Sequence, residues 1–252
     1  MPETQDLRGR TALVTGAGRG LGRAIARALA QRGADLLLVG RTAETLEDAR
    51  AEVARDTGVR VEHLVGDVKL PETAQAAVAR AHDLLGPVTI LINNAQEIAV
   101  GTLLTLTRDD FTATWESGPM AALEFMKAAH KDLCGDGVVI NLLSGAGIRW
   151  DMDTLGAYGA AKQALGAITR TAACEWGPLG IRVLGVMPNA VTDTWHSFET
   201  NYPDSAQDMV NRIPLRRMGS ADDVARMIAL LCTPNASYMT GSVVKIDGGL
   251  AP

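Results

Sequence analysis

Tyr158 and Lys162 stand four residues apart in YGAAK, and Ser144 closes the apolar run NLLSG a short loop upstream. On a helix, positions i and i+4 share a face, so this spacing points a phenol and an ammonium the same way. A free phenol titrates near about 10. A neighbouring ammonium favours phenolate and draws that value down, toward the range useful for general acid–base work. A serine hydroxyl beside the phenol would bond and steady a substrate oxygen. Such a set suits proton exchange at a carbonyl or alcohol oxygen.

A second constellation, TGAGRGLG, begins at Thr15. It follows an apolar run and opens a helical pattern. Gly16, Gly20 and Gly22 allow a tight turn, close backbone approach to a pyrophosphate and close helix packing. The helix beginning near Leu21 would offer its free N–H groups and positive dipole end to phosphates. The end of the second strand is where a carboxylate would bond the ribose hydroxyls of NAD. Gly40 and Arg41 occupy that place, and Arg19 lies inside the glycine turn. Two guanidinium groups suit a 2′-phosphate, so NADP(H) is favoured over NAD(H). Asp67 and Val68 follow the third strand and suit the adenine amino group and ring. Asn93, Asn94 and Ala95 end the fourth, at the sheet edge where ligands collect. Asn93 can equally tie neighbouring strands together. A glycine turn that holds a dinucleotide, joined to a proton-transfer pair, reads as hydride transfer to or from a carbonyl.

The elements that must position these residues alternate. TALVT, DLLLVG, VEHLVG, TILINN, GVVINLL, IRVLGVM and SVVKI read as strands. Several are apolar throughout, as strands covered on both faces are. Between them lie helical patterns at Leu21–Gln31, Thr45–Arg55, Glu72–Leu85, Asp109–Leu133, Tyr158–Trp176 and Ser220–Leu231. This order predicts an α/β parallel sheet with right-handed crossovers and helices on both faces, in a single domain over residues 1–252. The stretch 189–217 breaks the rhythm and carries Trp195, Phe198 and Tyr202, which suits a lid over a substrate.

Bulk properties narrow the classes. Nearly half of the 252 residues are apolar and the formal net charge is −5. No basic stripe marks a nucleic-acid surface, and no apolar run is long enough to span a membrane. The N-terminus lacks the apolar core of a signal peptide. Cys134, Cys174 and Cys232 are odd in number and far apart, as free thiols in a reducing cytoplasm are. The four histidines show no ligand spacing, so no metal site is expected.

Taken together, TGAGRGLG, GDV, NNA, the serine of NLLSG, YGAAK, MP after the sixth strand and TGSVVKIDGG resemble the short-chain dehydrogenase/reductase family over nearly the whole chain. The resemblance implies a Rossmann-like, doubly wound fold with a seven-stranded parallel sheet, and NAD(P)-dependent interconversion of a secondary alcohol and a ketone. It makes Tyr158 the acid/base. Lys162 lowers the pKa of Tyr158 and grips the nicotinamide ribose, and Ser144 positions the carbonyl. Asn94 and Val191 line the nicotinamide end. A homotetramer or homodimer is also implied, joined through the long helices that carry Gly118 and Tyr158.

Three departures accompany the resemblance. NNAG becomes NNAQ, with Gln96 for glycine. Pro-Gly becomes Pro188–Asn189. The asparagine that holds a relay water in the long fourth helix becomes Gly118, followed by Pro119. Proline lacks an N–H and disrupts the preceding turn, costing the Trp115 carbonyl its usual partner, and Gly118 tolerates the distortion. Backbone oxygens freed there are expected to keep the relay. Gln96, Trp150, Asn189 and Trp195 are expected around a partly apolar substrate pocket, with Met152 and Phe198 near its mouth. The three departures also allow a second reading, a dinucleotide-binding regulatory protein with weakened turnover. A cofactor-free lyase or dehalogenase would have no use for the phosphate turn and its arginines.

Overall fold

Seven apolar runs become strands β1 (Thr11–Thr15), β2 (Asp35–Gly40), β3 (Val61–Val65), β4 (Val88–Asn93), β5 (Val138–Leu142), β6 (Arg182–Pro188) and β7 (Val243–Ile246). The computed structural model describes residues 5–149 and 154–251, the side chains of residues 193 and 194 excepted. The strands pair in parallel in the order β3-β2-β1-β4-β5-β6-β7. The chain runs outward from β1 to β3, then returns to lay β4 on the other side of β1. Diverging connections at that reversal leave a crevice beyond the strand ends.

Helices α1 (Gly20–Gln31), α2 (Ala43–Thr57), α3 (Pro71–Leu84), α4 (Arg108–Trp115), α5 (Ala121–Leu133), α6 (Gly156–Trp176), α7 (Asp193–Asn201), α8 (Pro203–Arg212) and α9 (Ala221–Leu231) surround the sheet. Alternate strand residues face opposite ways, and this divides the core. Ala12, Val14, Ile90, Ile92 and Ile140 pack with Ile25 and Leu29 of α1, Val53 of α2 and Ile228 of α9. Leu13, Leu91 and Val139 face the other way, toward Ala77 of α3, Phe125 and Met126 of α5 and Ala173 of α6. Both layers are dry, which is why the inner strands read as apolar throughout.

The start foreseen at Ser220 is a reciprocal cap. Ser220 Oγ accepts from the Asp223 N–H at 3.0 Å and Asp223 Oδ2 accepts from the Ser220 N–H at 3.0 Å. Thr107 and Asp110 do the same for α4. Two regions differ from expectation. The single helix predicted over Asp109–Leu133 is α4 and α5 joined by a π-helical turn, Glu116–Met120. The predicted lid is not an irregular loop but carries two short helices, α7 and α8, packed on each other.

Candidate active site

The turn after β1 is shaped by its backbone. Gly16 and Gly20 have φ of 66° and 54°, a region costly for residues with a Cβ. A Cβ on Gly22 would run into the Gly16 carbonyl, and one on Gly18 would meet Thr45 Oγ1 at 2.7 Å. Asn94 stitches this turn to β4. Its Nδ2 donates to the Thr15 carbonyl at 2.9 Å and to the Gly16 carbonyl at 3.2 Å, and its N–H donates to Thr15 Oγ1 at 3.0 Å. A crevice of about 450 Å³ results. Of the predicted cofactor residues, Gly16, Arg19, Gly20, Leu21, Gly22, Arg41, Asp67, Val68, Asn94 and Ala95 all line it. A cradle that a Cβ would fill, opening at a helix N-terminus with no acidic residue in its first turn, fits a pyrophosphate. Arg41 reaches across to Glu97 at 2.5 Å, and Lys69 Nζ meets the same carboxylate at 3.2 Å. Neither Glu97 nor Lys69 was expected at this site, because strand order brings the loops after β2, β3 and β4 to one edge without saying which of their side chains meet.

Beyond β5, Ser144 caps a short 3-10 turn, Gly145–Gly147, accepting from the Ala146 N–H at 3.2 Å. Its side chain also hydrogen-bonds Tyr158. Lys162 lies one turn along α6, with Nζ 5.4 Å from the centre of the Tyr158 ring. The three predicted catalytic side chains therefore converge. Their electrostatics differ from expectation. Burial holds the Tyr158 phenol above its usual range, partly opposed by the Ser144 hydrogen bond. Burial also brings Lys162 down to about 7. At 5% exposure the ammonium is costly, and its Nζ spends a donor on the Leu142 carbonyl. Burial disfavours the lysine's charge and so weakens its pull on the phenol. In the protein alone burial outweighs the expected lowering of Tyr158 by Lys162.

A second cleft, of about 740 Å³, runs from this group to the lid helices. It shares Leu21, Asn94, Gln96 and Thr192 with the crevice. The predicted pocket residues Gln96, Asn189 and Trp195 line it, as does Phe198, whose ring centre lies 5.8 Å from that of Trp195. Trp150 and Met152 lie outside the described residues. The Val191 N–H donates to the Gly219 carbonyl at 2.8 Å, and its neighbour Thr192 lines both spaces. Asn93 takes the strand-tying role left open above, with Nδ2 donating to Asn141 Oδ1 at 2.8 Å. Among the described residues no His, Cys, Asp and Glu cluster could hold a metal, and Cys134, Cys174 and Cys232 are free thiols.

A family model described as Enoyl-(Acyl carrier protein) reductase matches residues 16–251. The chain is 34% identical to a 12alpha-hydroxysteroid dehydrogenase from Clostridium sp. (strain ATCC 29733 / VPI C48-50), over 96% of both chains. The chain belongs to the short-chain dehydrogenase/reductase family. This dehydrogenase/reductase is also 34% identical to a tropinone reductase homolog from Arabidopsis thaliana, covering 99% of this chain and 96% of that one. Its fold matches L-sorbose reductase from Gluconobacter frateurii, solved with NADPH and L-sorbose, at a TM-score of 0.89, 28% identity and coverage of 99% and 98%. It also matches an NAD+-bound xylitol dehydrogenase at 0.90, 30% identity and coverage of 96% and 99%.

Two departures of this dehydrogenase/reductase meet in space. Pro119 has no N–H and its ring would press on the carbonyl one turn back. The helix answers by widening rather than breaking, so that the Ala121 N–H reaches the Glu116 carbonyl, five residues back. The Gln96 side chain closes over this turn, with Nε2 donating to the Thr114 carbonyl at 3.3 Å. The Glu97 N–H donates to Ser117 Oγ at 3.0 Å beside it. Gly118 serves close approach: a Cβ there would meet Gln96 Nε2 at 2.6 Å. The expectation that Gly118 absorbs distortion and leaves open backbone oxygens gives way to a side-chain amide filling that space.

Proposed function

We propose that this oxidoreductase interconverts a secondary alcohol and a ketone by hydride transfer, preferring NADP(H) to NAD(H), with Tyr158 as the general acid/base. The observation that carries the reading is the Ser144–Tyr158 hydrogen bond beside buried Lys162, in a cleft continuous with the glycine-lined crevice. A bound nicotinamide supplies or accepts the hydride at the carbonyl carbon. Tyr158 Oη gives a proton to the carbonyl oxygen in reduction and takes it from the alcohol in oxidation. Ser144 Oγ holds that same oxygen. Lys162 grips the nicotinamide ribose, and when charged it favours the phenolate. Gly16, Arg19, Gly20, Leu21 and Gly22 hold the pyrophosphate. Asp67 and Val68 hold the adenine, and Asn94, Ala95 and Thr192 flank the nicotinamide end.

The preference for NADP(H) rests on Arg41 and Arg19 at the ribose end of the crevice. Ile98, Val100, Leu155, Trp195 and Met209 in the wider cleft favour a partly apolar substrate, with Gln96 and Asn189 as its polar contacts. Residues 189–217 act as the lid of a single domain over 1–252. Half-exposed Phe111, Trp115 and Met120 around the π turn favour pairing of copies through this helix, as a homodimer or homotetramer. Among the described residues no helix is long and apolar enough to cross a membrane, and a cytoplasmic setting suits the free thiols.

A second reading, a dinucleotide-binding regulatory protein with weak turnover, draws on the upward position of the Tyr158 phenol. One assay separates the two. Absorbance of NADPH is followed with a panel of ketones, and NADP+ with alcohols, for the parent and for Tyr158→Phe. Turnover by the parent, lost by a factor of about 10² or more in the variant with NADPH binding kept, supports catalysis. A parent that binds NADPH and turns over none of the panel supports the regulatory reading. Equal rates in both proteins contradict the role given to Tyr158.

A further inference from the structure

A small cavity of about 10 Å³ lies between β4, the π turn and α6, bordered by Asn93, Gln96, Gly118 and Lys162. Two acceptors on residues of its wall, Asn93 Oδ1 and Gln96 Oε1, are buried and have no hydrogen-bond partner. Asn93 as a whole is 6% exposed, so solvent does not reach it. Lys162 carries three N–H donors when protonated and two when neutral, of which the Leu142 carbonyl takes one. Buried polar atoms are nearly always satisfied, by protein or by water. A space of roughly 10–15 Å³ holds one water when two to four polar groups converge on it.

The donors and acceptors balance with a single water. It donates one hydrogen to Asn93 Oδ1 and one to Gln96 Oε1, and accepts from Lys162 Nζ. The direction of the Gln96 amide is not arbitrary, because a carbonyl accepts only. The Thr114 carbonyl must therefore face Nε2, which leaves Oε1 as the free end. Gly118 makes the arrangement possible, since a Cβ there would stand 2.6 Å from Nε2 and 3.0 Å from Oε1.

We propose that Gln96 is a positioning residue that holds this water against Lys162, with Asn93 as its second holder, and so gives the buried lysine a proton route. A proton lost from the Tyr158–Lys162 pair is replaced through the water, and only the wall formed by Val68, Ala95 and Gln96, which line both spaces, stands between that water and the open crevice. The proposal rests on reading Tyr158 and Lys162 as the acid/base pair. Lys162 brought down to about 7 by burial is consistent with a group that exchanges its proton near neutrality.

Two measurements test it together. The first is a crystal structure of the full chain with NADP+, at a resolution that shows ordered water, for the parent and for Gln96→Met. The second is the pH profile and solvent deuterium isotope effect on kcat for the parent, Gln96→Met and Gly118→Ala. In the crystals, a water bonded to Gln96 Oε1 and Asn93 Oδ1 is expected in the parent and absent from Gln96→Met. In solution, kcat falls about tenfold in both variants, its pH profile shifts and its solvent isotope effect rises. Gly118→Ala keeps the glutamine but pushes its amide aside, so it serves even where Gln96→Met folds poorly. The double variant Gln96→Gly with Gly118→Asn returns an amide from the helix side and is expected to recover the parent pH profile. No water at this place in the parent overturns the proposal. Variants that keep the parent pH profile and isotope effect also overturn it, whatever happens to their melting temperatures. A parent that holds the water yet turns over no alcohol or ketone contradicts the reading of the acid/base pair and leaves the water site standing.

Discussion

The crevice and the cleft share a wall at Leu21, Asn94, Gln96 and Thr192, yet they are made of different material. The crevice is built around a backbone turn, with Gly16 and Gly20 in left-handed conformations and Asn94 tied to the Thr15 and Gly16 carbonyls. The cleft is walled by side chains and roofed by two short helices whose aromatic rings lie tilted against one another. A backbone-built site leaves little freedom, because one added methyl closes it. A wall of side chains can be recut residue by residue with the scaffold untouched. On the proposed reading, this division assigns a common cofactor to one end of the molecule and a particular substrate to the other.

The contrast is broken most severely at Gly22. Gly22→Val drives its side chain into the Gly16 carbonyl and Asn94, and is expected to cost about 3 kcal/mol or more in stability and to abolish NADPH binding. Thermal melts with and without NADPH check both. The next largest effect belongs to the boundary, at Lys162. Its folded pKa, about 7, lies below the unfolded value, so the unfolded chain binds more protons above pH 7. Stability of the protein without nucleotide should therefore rise between pH 7 and 9, by up to about 1 kcal/mol per pH unit. Above that window Cys232 and Tyr158, both pushed up by burial, act in the opposite sense. Lys162→Met is expected to flatten the rise in denaturant titrations across pH.

On the cleft side, Trp195→Ala should raise KM for an apolar ketone about tenfold and leave the NADPH Kd alone. An equal loss of both would show that the two spaces are not separable. The smallest effect is expected at the exposed edge of the crevice. Glu97→Gln frees Arg41 and Lys69 from an internal anion, and should tighten NADPH a few-fold over NADH in fluorescence titrations. An unchanged ratio would remove Arg41 as the 2′-phosphate contact.

The same contrast explains what could be read from the sequence. The parallel sheet, the glycine turn and the i, i+4 pair on α6 follow from local rules of periodicity, φ and helix geometry, and were legible in it. Val191 and Thr192 are adjacent, and sequence alone did not show that the Val191 N–H is tied to the Gly219 carbonyl while Thr192 lines both spaces. The π turn needed more than Pro119. It is completed by Gln96, twenty-odd residues earlier in the chain, reaching the Thr114 carbonyl. Arg41 was legible as a cation at a strand end, but its partner Glu97 lies on another loop. The largest misreading concerned Tyr158. Spacing puts an ammonium beside it, but spacing carries no information about burial. Burial disfavours the lysine's charge and raises the phenol instead.

The central claim is hydride transfer with a proton supplied by Tyr158, and isotope tracing tests it most directly. A ketone from the panel is reduced with NADPH carrying deuterium at both C4 positions, and the alcohol is analysed by mass spectrometry and NMR. One deuterium at the carbinol carbon is expected with the parent protein, and with Tyr158→Phe the alcohol is expected to form slower by a factor of about 10² or more. Alcohol formed without that deuterium, or formed at the parent rate by Tyr158→Phe, would contradict it.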